Sequence, residues 1–144
     1  MNENRLSTVD VIIEIEGKIV LIRRNSEPFK GMLALPGGKV EFGETVENAA
    51  IREAEEETSL KVRLKEILGV YSDPKRDPRG INVATAFIAE PIEGNVRAGS
   101  DAKEIFLLKP EEIEFDKLAF DHKKIVQDYL KWKKNKGTYW STKV

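Results

Sequence analysis

Residues 37–60 read GGKVEFGETVENAAIREAEEETSL, and five of the six residues at positions 52–57 are charged. The residues before this charged run predict the first turns of a helix, with Thr45 as its N-cap. The apolar stripe of that helix consists of Val46, Ala49 and Ala50. The sequence therefore predicts an amphipathic helix that continues into the charged run.

Three glutamates of the run lie on the apolar stripe or beside it. At about 100° per residue, Glu53 and Glu57 fall on nearly the same side of the helix as the stripe, and Glu56 flanks it. Carboxylates three or four residues apart repel each other, and they repel more strongly when partly buried. A cation is therefore expected among them. Arg52 is one candidate, and Mg²⁺ or Mn²⁺ is the better one, because clustered hard oxygen ligands suit these ions.

The helix alone leaves a second interpretation equally open. Glutamate-rich helices are common on protein surfaces, where lysines four residues away stabilise them. The spacing of the whole segment decides between the two. Positions 38–60 follow the pattern G-x5-E-x7-R-E-A-x-E-E-x2-L, which resembles the Nudix box, the signature of hydrolases that cleave a nucleoside diphosphate linked to another group. Ser59 stands where the family usually has a glycine that ends the helix in a left-handed conformation, which serine adopts at some cost.

The resemblance implies a fold and a metal site. Family members are α/β proteins, an α/β/α sandwich with a mixed β-sheet in which the box forms a loop–helix–loop. Two or three Mg²⁺ ions, for which Mn²⁺ can substitute, neutralise the pyrophosphate and lower the pKa of a bound water. The implied metal ligands are the carbonyl of Gly37 and the carboxylates of Glu53, Glu56 and Glu57.

The resemblance also implies roles for the residues around the metal. Arg52 holds the glutamates in position, and Glu44 binds a metal or anchors the loop. The base that takes a proton from water is either Glu53 or a loop acid such as Glu104. The segment 100–105 resembles a family stretch that lies across the site from the box helix, so Asp101 is a second candidate there. A polar entry to a strand is the alternative explanation of both loop acids.

Four arginines are candidates for binding an anionic substrate. Arg23 and Arg24 end a predicted strand, where they are either solvated or in contact with phosphate. The loop SDPKRDPRG at 72–80 carries Arg76 and Arg79; by itself it is either a solvated loop or an anion site. It resembles the segment after the box in small ADP-ribose pyrophosphatases, where a proline marks the subfamily, so both arginines are expected to bind substrate.

The remaining patterns predict strands and one further helix. Residues 8–16 alternate between apolar and polar side chains, which predicts a half-buried strand, and residues 19–22 complete a hairpin with it. Further strands are expected at 62–71 and 81–89. A second helix is expected to begin after Asp121 as the N-cap. His122 has no nucleophile motif beside it, so a structural role is expected for it.

Composition excludes several classes of protein. The chain has 144 residues, 40% hydrophobic and 34% charged, which predicts a single globular domain. The resemblance implies that it is one Nudix domain over residues 1–144. A net charge of −1 gives no general attraction to nucleic acid or to anionic membranes. With no cysteine and one histidine, neither disulfides nor a histidine-rich zinc site is expected. No signal peptide or spanning segment is evident, so a cytoplasmic protein is expected, and the resemblance implies a homodimer.

The expected activity is Mg²⁺-dependent hydrolysis of the pyrophosphate bond of a small nucleotide substrate. The subfamily resemblance favours ADP-ribose, cleaved to AMP and ribose 5-phosphate. One alternative is a Nudix enzyme for oxidised nucleoside triphosphates, which would release pyrophosphate. A second alternative is a catalytically inactive nucleotide sensor, which is disfavoured because every acidic position of the box is present.

Overall fold

The structure is a computed structural model that describes residues 5–96 and 102–144. Within these ranges the chain forms two α-helices, α1 (Val46–Thr58) and α2 (His122–Asn135). The strands are β1 (Arg5–Ile15), β2 (Lys18–Arg24), β3 (Leu33–Ala34), β4 (Gly37–Lys39), β5 (Lys61–Tyr71), β6 (Ile81–Glu93), β7 (Ala102–Leu108) and β8 (Tyr139–Trp140). Two short 3₁₀ helices, Pro110–Glu112 and Phe115–Lys117, precede α2. Neither α-helix is long and apolar enough to cross a membrane.

The strands form one mixed sheet in the order β3-β2-β1-β6-β5-β8, with β4 paired to β1 and β7 paired to β2. β1 runs parallel to β6, and β8 runs parallel to β5, whereas the other pairs are antiparallel. The helices lie on opposite faces. α1 packs on the face of the sheet that carries Val11 and Phe87, and α2 packs on the face that carries Ile12 and Ile88. The predicted α/β/α sandwich with a mixed sheet is confirmed.

The prediction of a half-buried strand at residues 8–16 is wrong. β1 lies inside the sheet, between β6 on one side and β2 and β4 on the other. Because a helix covers each face of the sheet, the side chains on both faces of β1 are enclosed, and Ile12 and Ile13 are both fully buried. Asp10 is also buried, although the alternating pattern predicted it on a solvated face. Exposure is confined to the ends of the strand, where Arg5 and Ser7 are exposed and Glu14 and Ile15 are partly exposed.

The caps of α1 agree with the sequence. The Thr45 hydroxyl accepts a hydrogen bond from the Asn48 amide at 3.0 Å, which satisfies one of the free N–H groups at the start of the helix. Ser59 ends the helix with a φ of 66°, in the left-handed conformation that the family's usual glycine adopts easily. The serine therefore keeps the C-cap geometry, so α1 and the box end where the motif predicts.

The start of α2 agrees with the sequence in position but not in bonding. Asp121 occupies the N-cap, as predicted, yet its side chain makes no capping hydrogen bond. Both carboxylate oxygens instead accept hydrogen bonds from Arg76, at 2.7 and 2.9 Å. A bidentate bond to a guanidinium is stronger than a neutral cap, so the carboxylate is directed to loop 72–80.

Burial of β1 on both faces predicts the outcome of two truncations. We expect Ile12→Ala and Ile13→Ala each to lower the free energy of unfolding by about 2–5 kcal/mol, because each leaves a cavity in a closed core. The exposed Ile92 of β6 serves as control, and Ile92→Ala should change the free energy of unfolding by less than about 1 kcal/mol. Urea unfolding measures all three. A loss of stability in Ile13→Ala without one in Ile12→Ala would instead support a strand that is buried on one face only.

Candidate active site

A cleft opens where the box meets the ends of β1 and β2. One wall is the acidic inner side of the box, with Glu57, Gly37 and Gly38. The other wall is cationic and aromatic and consists of Arg24, Arg79 and Phe120. Loop 72–80 and the entry to α2 thus face the box helix across a single space.

Glu57 is the most deeply buried acid of the box. Its relative exposure is 9%, because the apolar stripe of α1 turns it towards the sheet. Its Oε1 accepts a long hydrogen bond of 3.4 Å from the Gly37 amide. Its Oε2 is buried and accepts no hydrogen bond from any described residue. Burial, with added repulsion from Glu53, raises the pKa of Glu57 to about 8.

Glu53 lies one turn earlier on the same side of α1, and its side chain is 13% exposed. A methyl group at position 38 would overlap Glu53 Oε2, so Gly38 is required for this approach of the loop to the helix. Burial raises the pKa of Glu53 to about 7, and the neighbouring Glu56 adds to the increase. The sequence therefore brings two acids with raised pKa values to the same wall.

Arg52 is bonded to three of the box glutamates. Its Nη1 donates to Glu53 Oε1 at 2.8 Å and to Glu56 Oε2 at 3.2 Å. Its Nε and Nη2 donate hydrogen bonds to the two carboxylate oxygens of Glu44 at 2.6 and 2.9 Å. These bonds hold the pKa of Glu44 well below its usual value. No three acidic or imidazole groups among residues 5–96 and 102–144 form a ready-made metal site. Arg52 lies among carboxylates that would otherwise be available as ligands.

The cationic wall is built around one aromatic ring. The guanidinium carbons of Arg24 and Arg79 lie 4.8 and 5.9 Å from the centre of the Phe120 ring. Arg24 also donates from Nε to the Pro28 carbonyl at 2.7 Å, and Arg79 donates from Nη2 to Asp77 at 2.8 Å. Both cations are thus held at fixed places in the wall, facing the acidic side.

Arg76 lines the same cleft but is committed to an internal ion network. Its side chain is only 2% exposed, and its Nη2 lies 3.5 Å from Asp10 in addition to the bidentate bond with Asp121. Enclosed in this way, its guanidinium presents little surface to a ligand, whereas Arg79, which is paired with Asp77, keeps 40% of its side chain exposed. The loop motif located Arg76 at the cleft, and the structure shows that its partners are protein acids.

Asp10, His122 and Phe120 are cleft residues that the sequence did not identify as site residues. His122 Nδ1 accepts a hydrogen bond from the Leu35 amide at 3.0 Å, so its Nε2 carries the proton and faces Asp10 Oδ1 at 3.2 Å. Although burial opposes ionisation, His122 and Arg76 lower the pKa of Asp10. The signal in the sequence was an aspartate inside a strand that is otherwise apolar. The structural role expected for His122 agrees with these bonds.

Two predicted residues lie elsewhere, and one lies outside the described residues. Arg23 and Glu104 are cross-strand partners in β2 and β7 and form an ion pair at 2.7 Å. Side chains alternate along a strand, so Arg23 faces away from Arg24, into a separate hollow that it lines with Phe106. Neither Arg23 nor Glu104 lines the cleft. Asp101 lies outside the residues that the structure describes.

Comparison with known proteins identifies the family. Residues 4–129 match the family model of the NUDIX domain. The chain is 54% identical over 125 residues to an ADP-ribose pyrophosphatase of Methanocaldococcus jannaschii, an alignment that covers 87% of this chain and 73% of the relative.

Solved structures agree with the sequence match. A NUDIX hydrolase from Nitrosomonas europaea superposes with a TM-score of 0.85 at 26% identity, covering 98% of this chain and 80% of the other. A bifunctional NMN adenylyltransferase/ADP ribose pyrophosphatase from Francisella tularensis, complexed with AMP and a Mn ion, has a TM-score of 0.75 at 25% identity and covers 90% of this chain and 42% of its own. The chain therefore belongs to the NUDIX domain family and is a Nudix hydrolase.

Proposed function

We propose that this chain is a Mg²⁺-dependent ADP-ribose pyrophosphatase that hydrolyses ADP-ribose to AMP and ribose 5-phosphate. The observation that carries the proposal is the pairing of opposite walls in one cleft: Glu57 on the box side, and Arg24 and Arg79 across from it. A pyrophosphate needs cations on both sides, because its own charge repels an attacking nucleophile. The 54% identity to an ADP-ribose pyrophosphatase supports the choice of substrate.

The box residues fit a divalent cation. Glu57 Oε2 is a buried oxygen that no described donor satisfies, and such an atom is costly unless something positive binds it. Arg52 occupies Glu53 Oε1 and Glu56 Oε2, so each of these side chains has its second oxygen left for another cation. With the Gly37 carbonyl, these oxygens form a hard donor set of the kind that Mg²⁺ and Mn²⁺ prefer. We propose Gly37, Glu53, Glu56 and Glu57 as the ligands.

A bound divalent ion would supply positive charge to the phosphate oxygens and make water more acidic. The chain's own residues then divide the remaining tasks. Glu53, with its raised pKa, takes the proton from the attacking water. Arg24 and Arg79 hold the phosphate groups against the acidic wall. Arg52 and Glu44, bonded at 2.6 Å, keep the helix and the loop before it in register.

The proposal assigns the base to Glu53 rather than to Glu104. Glu104 is committed to Arg23 at 2.7 Å, whereas the Glu53 carboxylate lies directly beside Gly38 of the cleft lining. Arg76 is assigned to the support of the loop, because Asp121 and Asp10 already bind its guanidinium. The role of Asp101 as a candidate base stays a prediction.

We further propose one domain over residues 1–144 that acts as a cytoplasmic homodimer. The sheet face beyond α1 carries large apolar side chains with relative exposures between 39% and 52%: Ile67, Val70, Ile81 and Val83. They share one face by the register of β5 and β6, and a contiguous apolar patch of this kind supports a second copy as its cover. Sedimentation as a monomer at micromolar concentration would contradict the dimer.

Removing the charge of Glu57 tests the metal site. We expect Glu57→Gln to lower kcat on the order of 10²-fold or more, because the buried ligand loses its charge. The fold should persist, since glutamine has the same shape and buries no charge. Glu55→Gln is the matched control, since Glu55 lies on the exposed side of α1, and should leave turnover within about twofold. Full turnover in Glu57→Gln would refute the proposal.

The raised pKa values predict how stability of the metal-free protein depends on pH. Between the ordinary value of 4.5 and the folded values of about 7 for Glu53 and about 8 for Glu57, the folded state holds protons that the unfolded chain has released. Stability must therefore fall as pH rises from about 4.5 to 8. Thermal unfolding in EDTA measures this as a falling Tm, by about 2–4 °C per kcal/mol lost.

Two controls accompany the pH series. Glu57→Gln should flatten the decline, because one of the titrating groups is gone. Mg²⁺ should raise the Tm more at pH 8 than at pH 5, because it binds the ionised carboxylates. A Tm that rises steadily over this range in the metal-free protein would contradict the burial of these acids.

The products of turnover test the substrate. With Mg²⁺ and ADP-ribose, chromatography should show AMP and ribose 5-phosphate in equal amounts. Release of pyrophosphate from an oxidised nucleoside triphosphate, without turnover of ADP-ribose, would favour the alternative substrate class. Binding of ADP-ribose with no turnover of any nucleotide would indicate a sensor in place of an enzyme.

A further inference from the structure

The C-terminal segment, residues 139–144, lies beyond the part of the chain that matches the NUDIX domain, which ends at residue 129. Its first residues form β8, which pairs in parallel with β5 at Gly69↔Tyr139 and Val70↔Trp140. Position 69 must be glycine for this contact, because an added Cβ would collide with the Tyr139 carbonyl. The segment is therefore seated at the end of β5, next to loop 72–80.

Ser141 joins this segment to the first residues of the loop. Its hydroxyl oxygen accepts hydrogen bonds from the amides of Ser72 at 2.8 Å and Asp73 at 3.2 Å. These two N–H groups are at the point where β5 ends and the chain leaves the sheet. One side chain from 68 residues away thus satisfies both donors.

A second chain of bonds ties the segment to the same place. The Lys143 carbonyl accepts a hydrogen bond from Lys124 Nζ at 2.6 Å, and that ammonium also donates to the buried Asp128 at 2.9 Å. The other oxygen of Asp128 accepts from the Tyr71 hydroxyl at 2.8 Å. Since Tyr71 is the last residue of β5, the segment is held against the start of the loop by two independent routes.

The rest of loop 72–80 is held by different contacts. Arg76 binds Asp121 at its centre, and Asp77 binds Asn82 at 2.9 Å near its end. Between Asp77 and β6 lies Arg79, whose side chain forms part of the cationic wall of the cleft. The start of the loop is the part whose backbone amides depend on Ser141. Asp73 in turn accepts hydrogen bonds from the amides of Lys75 and Arg76, so a shift of Asp73 would be passed to the centre of the loop and from there to Arg79.

We propose that Ser141 is a positioning residue and that the C-terminal segment holds loop 72–80 in the conformation that binds the pyrophosphate substrate. The segment itself touches neither the acidic wall nor the reacting bond. Its effect is therefore on substrate binding, through the placement of Arg79, and not on the chemical step. The choice of ADP-ribose as the assay substrate rests on the proposed function.

Ser141→Ala tests this inference by two measurements. The KM for ADP-ribose should rise about three- to tenfold with kcat within twofold, because the loss concerns binding that the ground state and the transition state share. Amide exchange of Ser72 and Asp73, followed by NMR without substrate, should become faster. Ser141→Thr keeps the hydroxyl and should restore both values. Thr142→Ala, which removes an exposed neighbouring hydroxyl, is the matched control and should change neither.

Gly69→Ala perturbs the pairing of β5 with β8 through the β5 residue. The added methyl group displaces the Tyr139 backbone without altering Ser141 or the loop sequence, and it should reproduce the rise in KM and the faster exchange. A Tm that stays near that of the parent protein in Ser141→Ala shows that the fold is intact.

Three results would overturn the inference. Unchanged amide exchange at Ser72 and Asp73 in Ser141→Ala would show that the hydroxyl does not hold the loop. Faster exchange with an unchanged KM would show that the loop's order does not matter for binding, and a fall in kcat alone would place the effect on chemistry. If the parent protein does not turn over ADP-ribose, the proposed function fails, and the exchange rates alone decide the role of Ser141.

Discussion

Repulsion between carboxylates on the inner side of α1 is the constraint on which the site depends. Glu57 is buried, Glu53 is nearly so, and both have raised pKa values in the absence of a metal. Arg52 relieves part of the repulsion by bonding Glu53, Glu56 and Glu44. The repulsion that remains acts on Glu57, whose second carboxylate oxygen has no hydrogen-bond donor among the described residues. A helix that stabilised only itself would not turn these acids towards the sheet. The divalent cation of the proposed function would neutralise this negative charge.

A second ion network supports the cleft from below. Asp10 in the central strand faces both Arg76 and His122, and Arg76 reaches Asp121 at the entry to α2. The network joins the strand, the cleft loop and the second helix at one point. Because all four side chains are at least largely buried, their mutual bonds offset the cost of removing charge from water. These contacts are the basis for assigning Arg76, in the proposed function, to the support of the loop.

The site was predictable where its residues are close in the sequence. The spacing of the box places Glu53 and Glu57 on the inner side of α1 and Glu56 on its flank through helical geometry alone. In the structure Glu57 is buried and Glu53 nearly so, and the Glu56 side chain is 51% exposed. The loop residues were harder to predict, because an arginine in a polar loop has the same local pattern whether it meets phosphate or aspartate. Arg23 and Arg24 differ by one position, yet the alternation of β2 sends them into different hollows. Phe120 was not predicted because nothing near it in the sequence marks a cleft, and Asp10 was not predicted because the alternating pattern placed it on a solvated face.

The sequence by itself determined the box helix, its caps and the acids of its inner side, since each depends on contacts within a few residues. The α/β/α class followed from the resemblance of the box to the Nudix family. Only the tertiary structure decided which strand is covered on both faces, which arginines reach the cleft and that Ser141 meets the loop after β5. Those contacts join positions 45 to 69 residues apart along the chain. Their partners are chosen by sheet order and packing, and local periodicity carries no information about either.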